Sequence, residues 1–255
     1  MIAALGMYDR PELRAETDRY WALIRDRLRA TGIAARESLV RDDRAWMAGW
    51  LSPDLLLSQT CGLPFRARLQ GHVTLIGTPD FGVEGCAPGE YCSVLICRAG
   101  MPVPTLEDLQ RLRFVVNEGL SQSGWAAPLA HMQARGLDLR VTLQSGGHVA
   151  SARAVAEGHA DWAALDAITW RLIGQHDPVL AAQLQVVDRT APTPGLPYVT
   201  AAGRDPEPIR AAIADAIAAL RPEDRAALGL RGLVQIPAEA YLALPVPALP
   251  VLQAD

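Results

Sequence analysis

The chain has 255 residues, of which 50% are hydrophobic and 20% charged, and its formal net charge is -4. This length suffices for one large hydrophobic core or for two domains of roughly 100–150 residues each. No basic stripe occurs, which argues against a nucleic-acid partner because phosphates are neutralised by clustered cations. All 24 basic residues are arginines, and this excludes Schiff-base chemistry, a pyridoxal-phosphate anchor and a phosphate-loop lysine. We predict no cofactor and no metal site.

The N-terminus and the cysteines bear on the cellular compartment. No run of about 18 apolar residues predicts a membrane span. The stretch from Met1 to Tyr8 lacks the basic and long apolar regions of a signal peptide and is predicted to be a buried strand. A cytoplasmic protein and an exported protein without its leader are both left open. The four cysteines contain no CxxC pair. Cys61 and Cys86 could form a disulfide in an exported chain, but free thiols are the favoured expectation.

The first part of the chain alternates short apolar runs with helical periodicity. Helices are predicted at 11–29 and 45–50, and strands at 2–7, 33–40, 54–57, 72–77 and 91–98. A Pro/Gly-rich break follows at residues 99–104.

The second part repeats this alternation and ends in an irregular, Pro-rich segment at 245–255. Its predicted strands are 112–116, 139–143, 161–165, 184–187 and 198–201, and its predicted helices are 121–135, 149–157, 167–174 and 209–220.

The alternation predicts an α/β fold with mostly parallel sheets. Two series separated by Pro/Gly crossings indicate two lobes, residues 1–97 plus 192–255 and residues 98–191. The hinge crossings are predicted near 94–104 and 188–197. One continuous doubly wound sheet would produce a similar pattern.

Polar residues collect where predicted strands end and helices begin, the edge at which open α/β sheets bind ligands. Between Asn117 and Ser123 a glycine turn leads to serines at a helix start, where N–H groups and the helix dipole attract an anion without any lysine. An ordinary serine N-cap explains the same pattern.

Three further clusters have the same character. In the segment from Gln144 to Ser151, two glycines permit close approach of the backbone and His148 supplies a hydrogen-bond donor, although a single histidine is often structural. The other strand ends carry Ser58-Gln59-Thr60 with Thr78 nearby, and Asp166. Asp166 is expected to cap a helix by default, or to meet a ligand hydroxyl or cation.

At these residues the chain resembles the phosphonate/phosphite/phosphate-binding proteins of ABC transporters, a branch of the type II periplasmic binding proteins. The resemblance follows the chain in order over residues 5–200. The matching stretches are 5–9, 54–62, 77–79, 85–93, 117–124, 145–151, 160–166 and 193–197.

The resemblance implies a monomeric, two-lobed periplasmic protein whose hinge closes on a small oxyanion for delivery to a membrane permease. Ser121, Gln122 and Ser123 would hold the oxyanion, with His148 facing them. The other lobe would contribute Tyr8, Ser58, Gln59, Thr60, Thr78 and Ser93, and the remaining expected ligand residues are Asn117 and Asp166.

Two departures from the family pattern stand out. The chain shows no export leader, which leaves a cytoplasmic ligand-sensing or regulatory module as the alternative. Val149 follows His148 where relatives often carry an acidic residue, which argues against an aminoalkylphosphonate ligand.

A hydrolase is the less favoured alternative. Ser121 or Ser123 would act with His148 and Asp166 as nucleophile, base and orienting group. The sequence has no Gly-x-Ser-x-Gly elbow around either serine. We therefore expect a binding protein and no catalysis.

Overall fold

The computed structural model describes residues 1–253 and contains two compact units. Unit 1 consists of Met1–Glu90 and Pro194–Leu244. Unit 2 consists of Tyr91–Thr193 and of residues 245–253. All four cysteines lie within the described residues and are thiols. None of the helices in residues 1–253 is both long and apolar enough to cross a membrane.

The strands alternate with helices along the whole chain. In chain order the strands are β1 (Ile2–Ala4), β2 (Leu55–Gln59), β3 (Val73–Asp80), β4 (Glu90–Tyr91), β5 (Ser93–Arg98), β6 (Phe114–Val116), β7 (Val141–Gln144), β8 (Trp162–Asp166), β9 (Leu184–Arg189), β10 (Thr193–Pro194), β11 (Tyr198–Ala201) and β12 (Gly232–Val234).

The α-helices range from single turns to the long α1. They are α1 (Arg14–Ala30), α2 (Met47–Trp50), α3 (Gly62–Pro64), α4 (Leu106–Leu109), α5 (Ala127–Gln133), α6 (His148–Glu157), α7 (Ala167–His176), α8 (Pro178–Ala182), α9 (Glu207–Ala219), α10 (Pro222–Leu228) and α11 (Ala238–Leu242). Phe65–Leu69 and Gln122–Ala126 are π-helical turns that lead out of α3 and into α5.

Unit 1 is built on a five-stranded sheet in the order β1-β2-β11-β3-β12. Strands β1 and β2 are parallel, and β11 is antiparallel to both β2 and β3. β2 and β3 therefore run in the same direction, and their carboxyl ends lie at one edge of the sheet. Helices α1 and α9 pack against each other, and α9 also packs on β3.

Unit 2 has a five-stranded sheet in the order β7-β6-β8-β5-β9. The central strands β6 and β8 are parallel, whereas β5 is antiparallel to β8 and β9. The core is apolar and includes the rings of Phe114 and Trp162, whose centroids are 4.3 Å apart.

The predicted α/β class is confirmed, but the sheets are mixed rather than mostly parallel. Parallel neighbours require a crossover connection, usually a helix. Strands β5 and β11 instead follow directly on the segments where the chain passes from one unit to the other. Both strands enter their sheets antiparallel to the neighbours reported above.

The predicted division of the chain also differs from the observed units at β5. Ser93–Arg98 was assigned mainly to the first lobe because the Pro/Gly break follows it. In the structure β5 pairs with β8 and β9, and its first five residues are buried within unit 2. Burial of the apolar strand decides its place, and the break is a turn inside unit 2.

Two other predictions about the elements need correction. The strand predicted at 33–40 is absent, because this segment forms an irregular connection with Val40 N–H bonded to Ala3 O at 2.7 Å. Residues 245–253 are irregular as predicted, but they belong to unit 2 and not to the first lobe.

Candidate functional site

The sheet of unit 2 brings polar strand ends to one edge. β7 and β8 both lie parallel to β6, so the residues that follow β6 and β7 lie near Asp166 at the end of β8. Antiparallel β5 begins at the same edge, with Ser93 opposite Asp166. The predicted site residues of unit 2 are Ser93, Asn117, Ser121, Gln122, Ser123, His148 and Asp166, and all seven lie on or beside these strand ends.

Ser121 starts the helix that follows β6. Its extended backbone makes it the N-cap, and its Oγ accepts the N–H of Gly124 at 2.9 Å. The Ser123 N–H has no acceptor within its own helix, because a helix supplies no carbonyl to its first N–H groups. Ser121 and Ser123 are both buried. Buried N–H and hydroxyl donors at a positive helix end form an anion-binding arrangement.

Asn117 packs directly against this helix start. A Cβ added to Gly124 would lie 1.8 Å from Asn117 Oδ1, so the glycine leaves the space that the amide occupies. Asn117 is 8% exposed, and its Oδ1 has no hydrogen-bond partner among residues 1–253. A buried polar atom of this kind is costly unless another group, such as a ligand or water, completes its bonding.

The loop after β7 is joined to the same place. Ser145 N–H donates to Val116 O at 2.9 Å, and Gly146 N–H donates to Asn117 O at 2.8 Å. These bonds place His148 at the start of α6, where its Nε2 lies 2.9 Å from Ser123 Oγ. The structure therefore brings together the two predicted groups, the serines and the histidine.

Burial lowers the pKa of His148 below its ordinary value of 6.5. The negative charge of Asp166 and the nearby backbone of Ala164 partly oppose this effect. The imidazole is consequently neutral at neutral pH. The Asp166 carboxylate caps α7, accepting the N–H groups of Ile168 at 2.7 Å and Thr169 at 3.0 Å. The default expectation of a helix cap is confirmed.

Ser93 was predicted to line the other lobe, and this assignment is wrong because Ser93 begins β5 in unit 2. Its side chain is buried and its Oγ has no hydrogen-bond partner in the described part of the chain. Ser93 Oγ is thus, like Asn117 Oδ1, a buried polar atom of unit 2 with unused bonding capacity.

In unit 1 the predicted residues Tyr8, Ser58, Gln59, Thr60 and Thr78 also gather at one sheet edge. Ser58 and Gln59 end β2, Thr78 lies near the end of β3, and Tyr8 follows β1. Tyr8 packs edge-on against Phe81 with a centroid distance of 5.0 Å. Gln59 Nε2 donates to Leu196 O at 3.1 Å, and the hydroxyl of Thr60 lies 3.5 Å from Cys61 O.

Two aromatic residues that the sequence did not single out hold the hydroxyls of this edge. Trp50 Nε1 donates to Ser58 Oγ at 3.0 Å, and the hydroxyls of Thr78 and Tyr241 are 2.6 Å apart. Burial raises the pKa of Tyr241, so its hydroxyl stays protonated. Pro237 and the apolar spacing after it indicate a helix at α11. The sequence could not indicate that Tyr241 contacts Thr78, because the two residues are far apart in the chain.

Thr78 also borders a cavity of about 210 Å³ inside unit 1, together with Arg210 and Gln235. The Arg210 guanidinium donates to Ile76 O at 2.6 Å and forms an ion pair with Glu207. The cationic side chain of this cavity is therefore already engaged by the protein.

The fold is that of the two-lobed periplasmic binding proteins. PhnD1 of Prochlorococcus marinus in complex with methylphosphonate aligns with a TM-score of 0.71 at 19% identity, over 94% of this chain and 93% of that one. The chloride-bound protein XAC2383 of Xanthomonas citri aligns with a TM-score of 0.69 at 17% identity, over 95% of both chains. The binding protein component of an ABC phosphonate transporter of Pseudomonas aeruginosa gives a TM-score of 0.69 at 20% identity, over 91% of this chain and 80% of that one.

The sequence narrows this class further. Residues 48–239 match the family model of the periplasmic substrate-binding proteins of phosphonate ABC transporters. The chain belongs to this family, whose members are transport components rather than a class of enzymes. The predicted resemblance is thereby confirmed. A search of curated proteins gives no significant match.

Proposed function

We propose that this chain captures a small oxyanion, phosphonate-, phosphite- or phosphate-like, and presents it to the membrane permease of an ABC transporter. The observation that supports this most directly is the helix start at Ser121, where the Ser123–His148 pair lies beside buried donors. Closure of the two lobes around the ligand by a hinge motion is part of the proposal, as is action in the periplasm as a monomer.

The charge of the site favours a ligand recognised by neutral donors. Hydroxyls, backbone N–H groups and a neutral His148 can each donate a hydrogen bond to an oxyanion. The methylphosphonate bound by PhnD1 is a ligand of the proposed size and charge. Val149 adds no carboxylate next to His148, so we favour an oxyanion with an apolar substituent or with none over an aminoalkylphosphonate.

A thermal-shift and calorimetric panel tests the ligand class. Methylphosphonate, phosphite, phosphate, sulfate and 2-aminoethylphosphonate are each titrated into the purified chain. At a hundredfold excess over its dissociation constant, a true ligand stabilises the native state by about 2.7 kcal/mol. Absence of a shift with every oxyanion at millimolar concentration would contradict the proposal.

Substitutions at two glycines test whether the ligand binds at the helix start. Gly124→Ala places a methyl group on Asn117 and disturbs the helix start, so we expect oxyanion affinity to fall at least about tenfold, one lost charge-assisted hydrogen bond. Gly174→Ala is the matched control, because nothing lies within 4 Å of its added Cβ in the same unit. Equal affinities for the two variants would place the ligand elsewhere.

One observation favours a second candidate, a serine hydrolase. The 2.9 Å contact between Ser123 Oγ and His148 Nε2 has the geometry of a nucleophile and its base. Assays with p-nitrophenyl acetate and p-nitrophenyl phosphate decide between the two functions. Turnover that disappears in Ser123→Ala would support the hydrolase, and we expect none.

A further inference from the structure

The Pro-rich segment 245–253 leaves unit 1 after Leu244 and packs on unit 2. Four of its apolar side chains are more than half exposed, namely Val246 (55%), Leu249 (57%), Val251 (76%) and Leu252 (55%). The segment therefore adds little to a hydrophobic core. Its attachment depends on a few specific contacts.

Two of these contacts involve the loop and helix that carry the oxyanion donors. Trp125 follows Ser123 in the same π-helical turn, and its Nε1 donates to Ala248 O at 2.9 Å. A Cβ added to Gly119 would lie 3.1 Å from Pro250 Cδ and 3.2 Å from Leu249 Cδ2. Pro250 and Leu249 thus lie so close to Gly119, in the loop between Asn117 and Ser121, that a side chain there would crowd them.

A third contact anchors the far end of the segment. Gln253 N–H donates to Val141 O at 2.7 Å, and Val141 begins β7, the edge strand of the sheet. The segment is therefore bonded to unit 2 at Ala248 and again at Gln253. Its prolines restrict φ, which lowers the entropy lost when the segment is ordered.

We propose that residues 245–253 are a positioning strap, which holds the turn from Gly119 to Trp125 in the geometry that binds the oxyanion. Trp125 acts as a positioning residue, because its indole fixes the turn without touching the ligand. The expected effect on affinity rests on the oxyanion function proposed above. The expected effect of the strap on the conformational order of the turn is independent of that function.

The experiment compares three variants with the natural sequence, two of them point substitutions and one a truncation. Trp125→Phe keeps an aromatic ring but removes the N–H that bonds Ala248 O. A stop after Leu244 removes the strap. Trp162→Phe is the matched control, because it removes a similar indole bond, from Trp162 Nε1 to Leu109 O at 3.1 Å, within unit 2.

Two readouts separate the strap from the oxyanion function. In the ligand-free protein, amide hydrogen exchange in residues 117–126 should become faster in Trp125→Phe and in the truncated chain, and should stay unchanged in Trp162→Phe. By calorimetry with methylphosphonate, Trp125→Phe should bind about three- to tenfold more weakly, the size of one net hydrogen bond. Trp162→Phe should keep its affinity even where its thermal stability falls.

The strap proposal would be contradicted if amide exchange in residues 117–126 were as slow in Trp125→Phe as in the natural chain. It would also be contradicted if Trp162→Phe lost as much affinity as Trp125→Phe. If no variant and no natural protein binds an oxyanion, the proposed function fails while the exchange experiment still decides the strap. If the truncated chain does not fold, the point variants carry the test.

Discussion

At the residue scale, His148 combines a proposed role in ligand binding with a buried imidazole that is costly to protonate. Its ring is bonded to Ser123 Oγ inside unit 2, and burial disfavours the charged imidazolium. The sequence identified His148 from its position after two glycines at a strand end. It did not reveal the protonation state, because burial depends on residues distant in the chain.

The lowered pKa of His148 predicts a pH dependence of stability. The pKa of His148 is lower in the native state than in the unfolded chain, so below about pH 6.5 the unfolded chain binds a proton that the native state binds only at lower pH. The free energy of unfolding therefore falls as pH falls. This contribution is absent above about pH 7 and reaches at most about 1.4 kcal/mol per pH unit. Urea unfolding of the ligand-free protein between pH 7.5 and 5.5 measures it.

A substitution assigns this pH dependence to His148. His148→Gln should unfold with a shallower pH slope than the natural chain, because it removes the buried imidazole. Identical slopes in the two proteins would show that His148 is not the titrating group.

At the scale of elements, local patterns predicted most helices and strands but not those that depend on distant partners. The apolar spacing of α1, α6 and α9 and the buried runs of β2, β5 and β8 are local signals. The segment 33–40 looks equally strand-like, yet it forms no strand, although Val40 N–H bonds to Ala3 O in β1. The elements from α10 to α11 are short, and the Tyr241–Thr78 contact joins residues 163 positions apart.

Asp166 provides a prediction about one helix. Its carboxylate caps α7 through Ile168 and Thr169, so Asp166→Ala should destabilise the protein by about 0.5–2 kcal/mol. Asparagine caps helices about as well as aspartate, so Asp166→Asn should unfold close to the natural midpoint. Thermal unfolding without ligand measures both, and equal destabilisation of the two variants would show that the charge matters more than the cap.

At the scale of the whole molecule, the chain passes between the units after Glu90, after Thr193 and again after Leu244. The crossings predicted near 94–104 and 188–197 came from Pro/Gly-rich segments, and the first of these segments lies inside unit 2 because β5 belongs to that unit. The third passage was missed, because a Pro-rich end has no periodicity that would assign it to either unit. Which buried donors converge also depends on strand order, which the sequence does not specify.

The proposed closure predicts a change in size. Saturating methylphosphonate should reduce the radius of gyration measured by small-angle X-ray scattering, as expected for hinge-closing binding proteins. At a methylphosphonate concentration near the dissociation constant of the natural chain, Gly124→Ala should stay closer to the ligand-free radius, because its affinity is about tenfold lower. A protein that binds methylphosphonate tightly with an unchanged radius would argue for a site within one unit.

The distribution of thiols makes the protein convenient to label. Cys61, Cys92 and Cys97 are buried, whereas Cys86 is partly exposed and lies shortly before the passage at Glu90. A maleimide dye should therefore react first at Cys86, and the absence of lysine leaves few amines to compete. A dye on Cys86 would therefore lie close to one of the segments that connect the two units, and its fluorescence could report the proposed closure without any engineered cysteine.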